Sequence, residues 1–377
     1  MRIGFDARWY NDSGVGTYVA ELLKAMVPLQ SQGAMQNSLG QADFELAIFE
    51  DPENPVPGLP GNSVARVPLP AGKYSLLGQI ELIELCRQER LDVFHSPFYA
   101  MPLRISCPVV VTFHDLIPFL FRTGNLLKQF LVKSGYRVAA ARAREIIAVS
   151  GHTAQDIARI LKVPSKKISV IHNAVSREHF HAQRSTDEAA LLAQRYGIRS
   201  PYVVVASAWN WRTKNLASAL QVLTLARTQS PAQFQTVIYG PSDGLQAAGG
   251  PDAWRELNLV QTGHLPAADL ARLFRYAYVF LMPSLYEGFG LPLLEAMACG
   301  CAVITSNAGS LPEVAGTGAQ LFDPLDVNGM AGVAARLLCN PAELQRWRER
   351  ALKRAADFSW TKAAQETVSV YHRAIGQ

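Results

Sequence analysis

Short apolar runs alternate with longer segments of helical periodicity from the start of the chain. Runs of strand length stand at 1–6, 44–49, 92–95, 109–113, 145–149 and 168–171, with helix-like segments at 15–30, 76–90, 125–143 and 152–161. Such alternation predicts a parallel sheet covered by helices on both faces. The pattern lapses over 181–200 (HAQRSTDEAALLAQRYGIRS) and then resumes. Strands are expected at 202–206, 236–239, 258–262, 278–282, 302–305 and 319–322, and helices at 214–228, 266–275, 290–298 and 326–339. Two more helical segments, 341–356 and 360–375, close the chain. The expected organisation is two successive α/β domains over 1–180 and 201–358, a linker at 181–200 and a terminal helix within 359–377. The Pro/Gly-rich stretches 51–62 (DPENPVPGLPGN) and 244–252 (GLQAAGGPD) are expected as solvent-facing loops.

Composition narrows the class. The chain has 377 residues, enough for two domains, and 49% of them are apolar, which excludes a disordered chain. No run of about 18 uncharged apolar residues suggests a membrane-spanning helix. Asp6, inside the first short apolar stretch, fits a first strand and not a secretory leader. The net charge of +5 is concentrated in the first half: residues 1–186 carry 20 Lys and Arg against 16 Asp and Glu, the remainder 16 against 15. That surplus is too small and too diffuse for a nucleic-acid-binding stripe. The five cysteines (Cys86, Cys107, Cys299, Cys301, Cys339) include no C-x-x-C, so buried free thiols are expected, with no disulfide framework or zinc site.

Ligands of doubly wound sheets bind beyond the C-terminal ends of the strands, so motifs at those ends are candidate site residues. Gly14 and Gly16 follow the first strand and lead into a helix, a place where bare backbone N–H groups favour an anion. The third glycine of a dinucleotide fingerprint is absent; Val19 stands in its place. His114-Asp115 ends the strand 109–113, where the acid can orient the imidazole. The richest segment is 283–300 (PSLYEGFGLPLLEAMACG), which runs from a strand through a glycine loop into a helix. Gly288 and Gly290 bare the backbone at the helix tip, which suits a diphosphate. Glu287 and Glu295 flank it; carboxylates there would repel phosphate unless they bind hydroxyls, which suggests one for a sugar and one for a ribose. Arg212 and Lys214, after the strand 202–206, can neutralise a diphosphate leaving group.

Together these residues resemble the retaining, nucleotide-sugar-dependent glycosyltransferases of family 4, which have the GT-B fold: two Rossmann-like α/β domains facing across a cleft. Glu287 to Glu295 is similar to the family's E-x7-E motif. His114-Asp115-Leu116-Ile117-Pro118, Ile171-His172-Asn173 and Asn307-Ala308-Gly309 add to the match. The resemblance implies that the second domain holds the donor and the first presents the acceptor. Glu295 would hold the ribose, Glu287 the donor sugar, and the N–H groups of Phe289, Gly290 and Leu291 the distal phosphate. Arg212 and Lys214 would take the diphosphate, His114 would contact the transferring sugar, and Gly14 and Gly16 would belong to the donor side. Thr213 and Ala208 stand where many members carry arginine. No D-x-D closes a strand, so activity without a metal or other cofactor is expected, by same-face attack. The pattern is similar to mannosyltransferases of bacterial surface polysaccharide assembly, which points to GDP-mannose as donor and a glycan or lipid-linked glycan as acceptor. Two alternatives share the nucleotide site: a GT-B epimerase, and a non-catalytic nucleotide-sugar-binding protein. A cytoplasmic enzyme is expected. Residues 119–144 carry six cations and no acid among interleaved aromatics, which offers either a peripheral contact with the inner membrane surface or a solvated helix face.

Overall fold

A computed structural model of the chain describes residues 1–30, 44–60, 64–70, 72–102, 104–122, 125–207 and 211–376. The chain divides into two units, Met1–Asn173 with Ser359–Gln377, and Ala174–Phe358. In the first unit the elements run β1 (Arg2–Asp6), α1 (Ser13–Gln30), β2 (Glu45–Glu50), β3 (Ala65–Pro68), α2 (Leu76–Gln88), β4 (Val93–Ser96), β5 (Val109–Phe113), α3 (Ile117–Leu120), α4 (Leu126–Arg142), β6 (Glu145–Ala148), α5 (Gly151–Leu161) and β7 (Ile168–Val170). All seven strands are parallel, in the order β3-β2-β1-β4-β5-β6-β7. Strand order reverses between β1 and β4, the switch point of a doubly wound sheet. The inner strands are apolar throughout because helices cover both faces: Ile3, Phe5, Val110, Val111, Phe113, Ile146 and Ile147 are all fully buried. Side-chain caps start the helices, with Ser75, Asn125 and Ser150 accepting from the N–H groups of Gly78, Lys128 and Thr153 at 2.8–3.0 Å.

β3 is a strand that the hydrophobic pattern does not announce. It holds only four residues, ARVP, and pairs on one side only, with Ala47 opposite Ala65 and Glu50 opposite Pro68. An edge strand tolerates proline and charge, and Arg66 uses its position to reach Glu50 at 2.5 Å. The 51–62 loop also departs from expectation. Val56 and Leu59 are buried, and Arg66 donates to both of their carbonyls at 3.3 Å, so the loop folds back on the unit. Gly61 and Asn62 lie outside the described residues.

The second unit runs α6 (Glu188–Tyr196), β8 (Tyr202–Ala206), α7 (Trp211–Lys214), α8 (Leu216–Gln229), β9 (Gln235–Tyr239), α9 (Asp243–Ala247), β10 (Leu259–Gly263), α10 (Ala267–Tyr276), β11 (Val279–Met282), α11 (Leu291–Ala298), β12 (Ala302–Ser306), α12 (Leu311–Ala315), β13 (Gln320–Phe322), α13 (Val327–Cys339) and α14 (Pro341–Ala355). Its six strands are parallel in the order β10-β9-β8-β11-β12-β13, with the reversal between β8 and β11. The 181–200 stretch, expected as a linker, instead carries α6 and packs into this unit. Glu188 and Arg275 form a buried ion pair, Nε to Oε2 at 3.0 Å and Nη2 to Oε1 at 2.6 Å, and Tyr196 donates to Asp269 at 2.7 Å. Removing one partner of such a buried pair would strand the other charge, so the stretch is an integral support of α10.

The last helix, α15 (Trp360–Ile375), belongs to the first unit, where it packs against α1, β4, β5 and β6. No helix among the described residues is long and apolar enough to cross a membrane. The five cysteines are free. Cys86, Cys299 and Cys301 are buried as expected, but Cys107 is half-buried and Cys339 exposed.

Candidate functional site

In the second unit the chemistry-bearing residues gather where β8 and β11 end, at the strand-order reversal. After Met282 the chain leaves the sheet through a loop that is anchored on every side. The Asn215 amide donates to the Pro283 and Pro324 carbonyls at 3.1 and 3.0 Å. Leu285 N–H reaches the Thr213 carbonyl at 2.7 Å, and Ser310 donates to the Glu287 carbonyl through its N–H at 3.2 Å and its hydroxyl at 3.1 Å. The Glu287 carboxylate meets Lys214 Nζ at 2.6 Å, with both side chains only 13% exposed. The motifs at 212–214 and 287–295, more than seventy residues apart in sequence, are thus one cluster.

Gly290 caps α11 with φ +93°, a conformation that disfavours any side chain, and a Cβ there would lie 2.9 Å from Leu311. Because the first turn of a helix has no intrahelical acceptors, the N–H groups of Gly290 and Leu291 form the tip of the α11 dipole. Phe289 is buried and its ring meets Phe358 edge-on at 5.9 Å. Glu295 follows in the second turn of α11. Burial pushes its carboxyl up to about 7, against the opposing pull of Lys214. Arg212 is exposed on α7. Asn210 and position 208 lie outside the described residues.

Two further residues join this cluster that sequence reasoning missed. Asn215 occupies the left-handed region at φ +54° and clamps the loop. Tyr239, the last residue of β9, has a buried hydroxyl with no hydrogen-bond partner among the described residues. Burial first, then the charges of Glu295 and Glu287, hold that hydroxyl well above its ordinary ionisation. Its strand-terminal position beside β8 was the available signal. A polar group left open at a strand end can take a ligand hydroxyl or carbonyl.

In the first unit His114 follows β5. Its Nε2 lies 2.9 Å from the Pro97 carbonyl. A carbonyl only accepts, so Nε2 carries the proton and Nδ1 of the neutral ring is an acceptor. Burial lowers its pKa to about 4, against the effect of the Pro97 carbonyl, so the imidazole is neutral at neutral pH. Asp115 accepts from Ile117 N–H at 2.9 Å, a local turn at the start of α3. The expectation for Gly14 and Gly16 changes. α1 begins at Ser13, so both glycines sit in its first turn and not in a loop before it. The Gly16 N–H is taken by the Asp12 carbonyl, and a Cβ at Gly16 would lie 1.9 Å from the Tyr10 carbonyl. Close packing of α1 on the preceding turn accounts for Gly16. Asp6, at the end of β1, is fully buried and held by Arg8 through Nε and Nη2, each at 2.8 Å. Among the described residues no three His, Cys, Asp or Glu side chains converge as a metal site.

Two family models match in succession: Glycosyltransferase Family 4 over residues 13–179 and Glycosyl transferases group 1 over residues 194–354. The chain is 27% identical to O-antigen chain mannosyltransferase B of Escherichia coli, covering 96% of each chain. It is 35% identical to the MMP alpha-(1->4)-mannosyltransferase of Mycolicibacterium hassiacum, over 61% of this chain and 58% of that one. Among solved structures, sucrose-phosphate synthase from Thermosynechococcus elongatus superposes with a TM-score of 0.76 at 19% identity, covering 99% and 98% of the two chains. HepE of Anabaena, solved with UDP and glucose, superposes with a TM-score of 0.70 at 17% identity over 98% of each chain.

Proposed function

The chain belongs to the glycosyltransferases of the GT-B fold, its two halves matched in turn by their family models, and on that premise we propose that it moves a hexose, mannose in the first instance, from a nucleoside diphosphate sugar to a glycan or lipid-linked glycan, with retention of configuration. The observation that carries this reading is the Lys214–Glu287 pair beside the bare tip of α11. In the resting protein cation and carboxylate satisfy each other. An arriving diphosphate competes for Lys214, with Arg212 alongside, and frees Glu287 to accept from the donor sugar's hydroxyls. The N–H groups at Phe289, Gly290 and Leu291 cradle the distal phosphate, and Glu295 takes the ribose hydroxyls.

The bond from the anomeric carbon to the phosphate oxygen breaks while the acceptor oxygen attacks on the same face. The acceptor proton passes to the departing phosphate oxygen. Fixed cations and helix amides act on the charge that develops there, which is where preorganised electrostatics contribute most. His114, neutral with Nδ1 as acceptor, receives a hydroxyl of the transferring sugar. These groups supply the neutralisation that a divalent ion would otherwise give, so turnover is expected to survive EDTA; its complete loss would refute metal independence. Mannose and a surface-polysaccharide acceptor are supported by the similarity to the Escherichia coli mannosyltransferase, and the guanine base follows from that choice. Work at the cytoplasmic face of the inner membrane fits such an acceptor, with α4 as the surface that approaches the lipid.

Thermal shift with GDP-, UDP-, ADP- and dTDP-sugars tests the reading, because a ligand that binds only the folded protein raises the transition by mass action. GDP-mannose is expected to give the largest rise. A rise with another base would correct the donor; none with any sugar nucleotide would remove the proposal.

A further inference from the structure

Beneath His114 lies a closed line of polar groups that the proposed reaction does not use. Tyr371, on α15, places its hydroxyl 2.6 Å from His95 Nδ1. His95 Nε2 lies 2.8 Å from the Thr112 hydroxyl, which in turn lies 2.9 Å from the Tyr18 hydroxyl. The Tyr18 ring then stands edge-on to the His114 imidazole, centroids 4.9 Å apart at 82°. Tyr371, His95, Thr112 and Tyr18 are buried to within 2%. They come from four elements: α15, β4, β5 and α1.

Such a line is costly unless complete. A buried hydroxyl or ring nitrogen that loses its partner forfeits its solvation with nothing in return, so each member fixes the next. His95 is further enclosed by Phe5, whose ring meets it edge-on at 4.7 Å. Burial holds this histidine neutral, with a pKa of about 3. The Tyr18 hydroxyl is hydrogen-bonded to Thr112, and that bond sets where its ring stands. The ring is one wall against which His114 rests, with Phe98 as another and the Pro97 carbonyl holding Nε2.

We infer that Tyr371, His95, Thr112 and Tyr18 are positioning residues for His114, so that α15 helps to hold the imidazole in place. The inference rests on the reading of His114 as a sugar-facing group. Its function is to keep Nδ1 aimed in one direction through turnover. A misaimed acceptor loses transition-state contact with little change in ground-state binding, so the effect falls on kcat.

The test uses the full chain and follows nucleoside diphosphate released from the sugar nucleotide chosen by thermal shift. Thr112→Val and Tyr371→Phe are each expected to lower kcat 5- to 20-fold while KM for the donor and Kd for the nucleoside diphosphate stay within twofold. Thr112→Ser, which keeps the hydroxyl, is expected to return kcat to within twofold of the parent. In a His114→Ala background Thr112→Val is expected to have no further effect, since residues acting through one group are not additive. Parental circular dichroism and protease resistance of the first unit certify that the variants fold. If His114→Ala slows turnover but Thr112→Val and Tyr371→Phe do not, the positioning line is wrong and the reading of His114 stands. If His114→Ala turns over at the parental rate, both fall. Losses that add to that of His114→Ala, or that Thr112→Ser fails to rescue, would mark a general packing role and overturn the inference.

Discussion

The carboxyl of Glu295 is raised from an ordinary 4.5 to about 7 by burial. On its proposed role toward the ribose, donor affinity is expected to weaken as pH falls through 7, because protonation removes an acceptor for the hydroxyls. The matching acid limb in kcat/KM should vanish in Glu295→Gln. His114 stays neutral above about 4 and adds no limb in that range. Stability runs the opposite way. A raised pKa means that the folded state binds the proton more tightly; the stabilisation is full below about 4.5 and lost as pH rises through about 7. Glu295→Gln is thus expected to melt later than the parent at pH 8, by about 1–3 kcal/mol, and alongside it at pH 5, while binding donor more weakly. Calorimetric melts at the two pH values check this. Glu287→Ala, Lys214→Ala and His114→Ala are each expected to lower turnover about 10²–10³-fold, the range for one preorganised electrostatic group. Parental rates in all three would dismiss the mechanism.

Among the elements, α4 presents the least ordinary surface. Leu126, Leu127, Phe130 and Leu131 are 60–69% exposed, while Tyr136, Ala139 and Ala140 on the opposite face are buried. At about 100° per residue the exposed stripe is bordered by Lys133 on one edge and by Arg142 and Lys128 on the other, with Arg137 continuing the same face further along the helix. Lys133 and Arg137 also sit over the Phe119 ring, at 5.6 and 5.4 Å. An apolar stripe between cations suits an anionic interface, where shallow burial and charge act together. Binding to vesicles of anionic lipid at low salt is expected, falling about tenfold or more in Leu127→Ser/Phe130→Ser and on raising salt. Absence of flotation at low salt would make the stripe a solvated face. Arg122 and Asn125 flank residues 123–124, which lie outside the described set.

On the scale of the molecule, the two units each carry a complete sheet with its own switch point, and the chain passes between them twice, after Asn173 and after Phe358. The residues proposed to bind the nucleotide all lie in the unit Ala174–Phe358. Hydrogen exchange with saturating nucleoside diphosphate is therefore expected to protect peptides covering 211–216 and 283–298, with little change over β2 and β3. Protection confined to the first unit would move the donor site. α15 links the second crossing to the interior of the first unit, and its undocking would expose its own buried Tyr371, Val368 and Ala364.

Period alone located most of the architecture, because a strand buried on both faces must be continuously apolar and a covering helix must repeat every 3.6 residues. It placed twelve of the thirteen strands among the described residues to within a residue or two, and it set the E-x7-E segment on a strand-to-helix turn. It missed β3, a four-residue edge strand with a single buried apolar side chain, Val67, and α6, a short helix whose buried Leu192 stands among polar residues that ion pairs tie to α10. Charge spacing raised Lys214 and Glu287 as separate candidates; only the fold joins them at 2.6 Å. Nothing in the chain signals that Tyr371 closes on His95 across 276 residues. Local sequence fixes element type because propensity and burial period are local properties. Which distant polar groups share one buried line is decided by packing, where each must find its partner or lose its solvation.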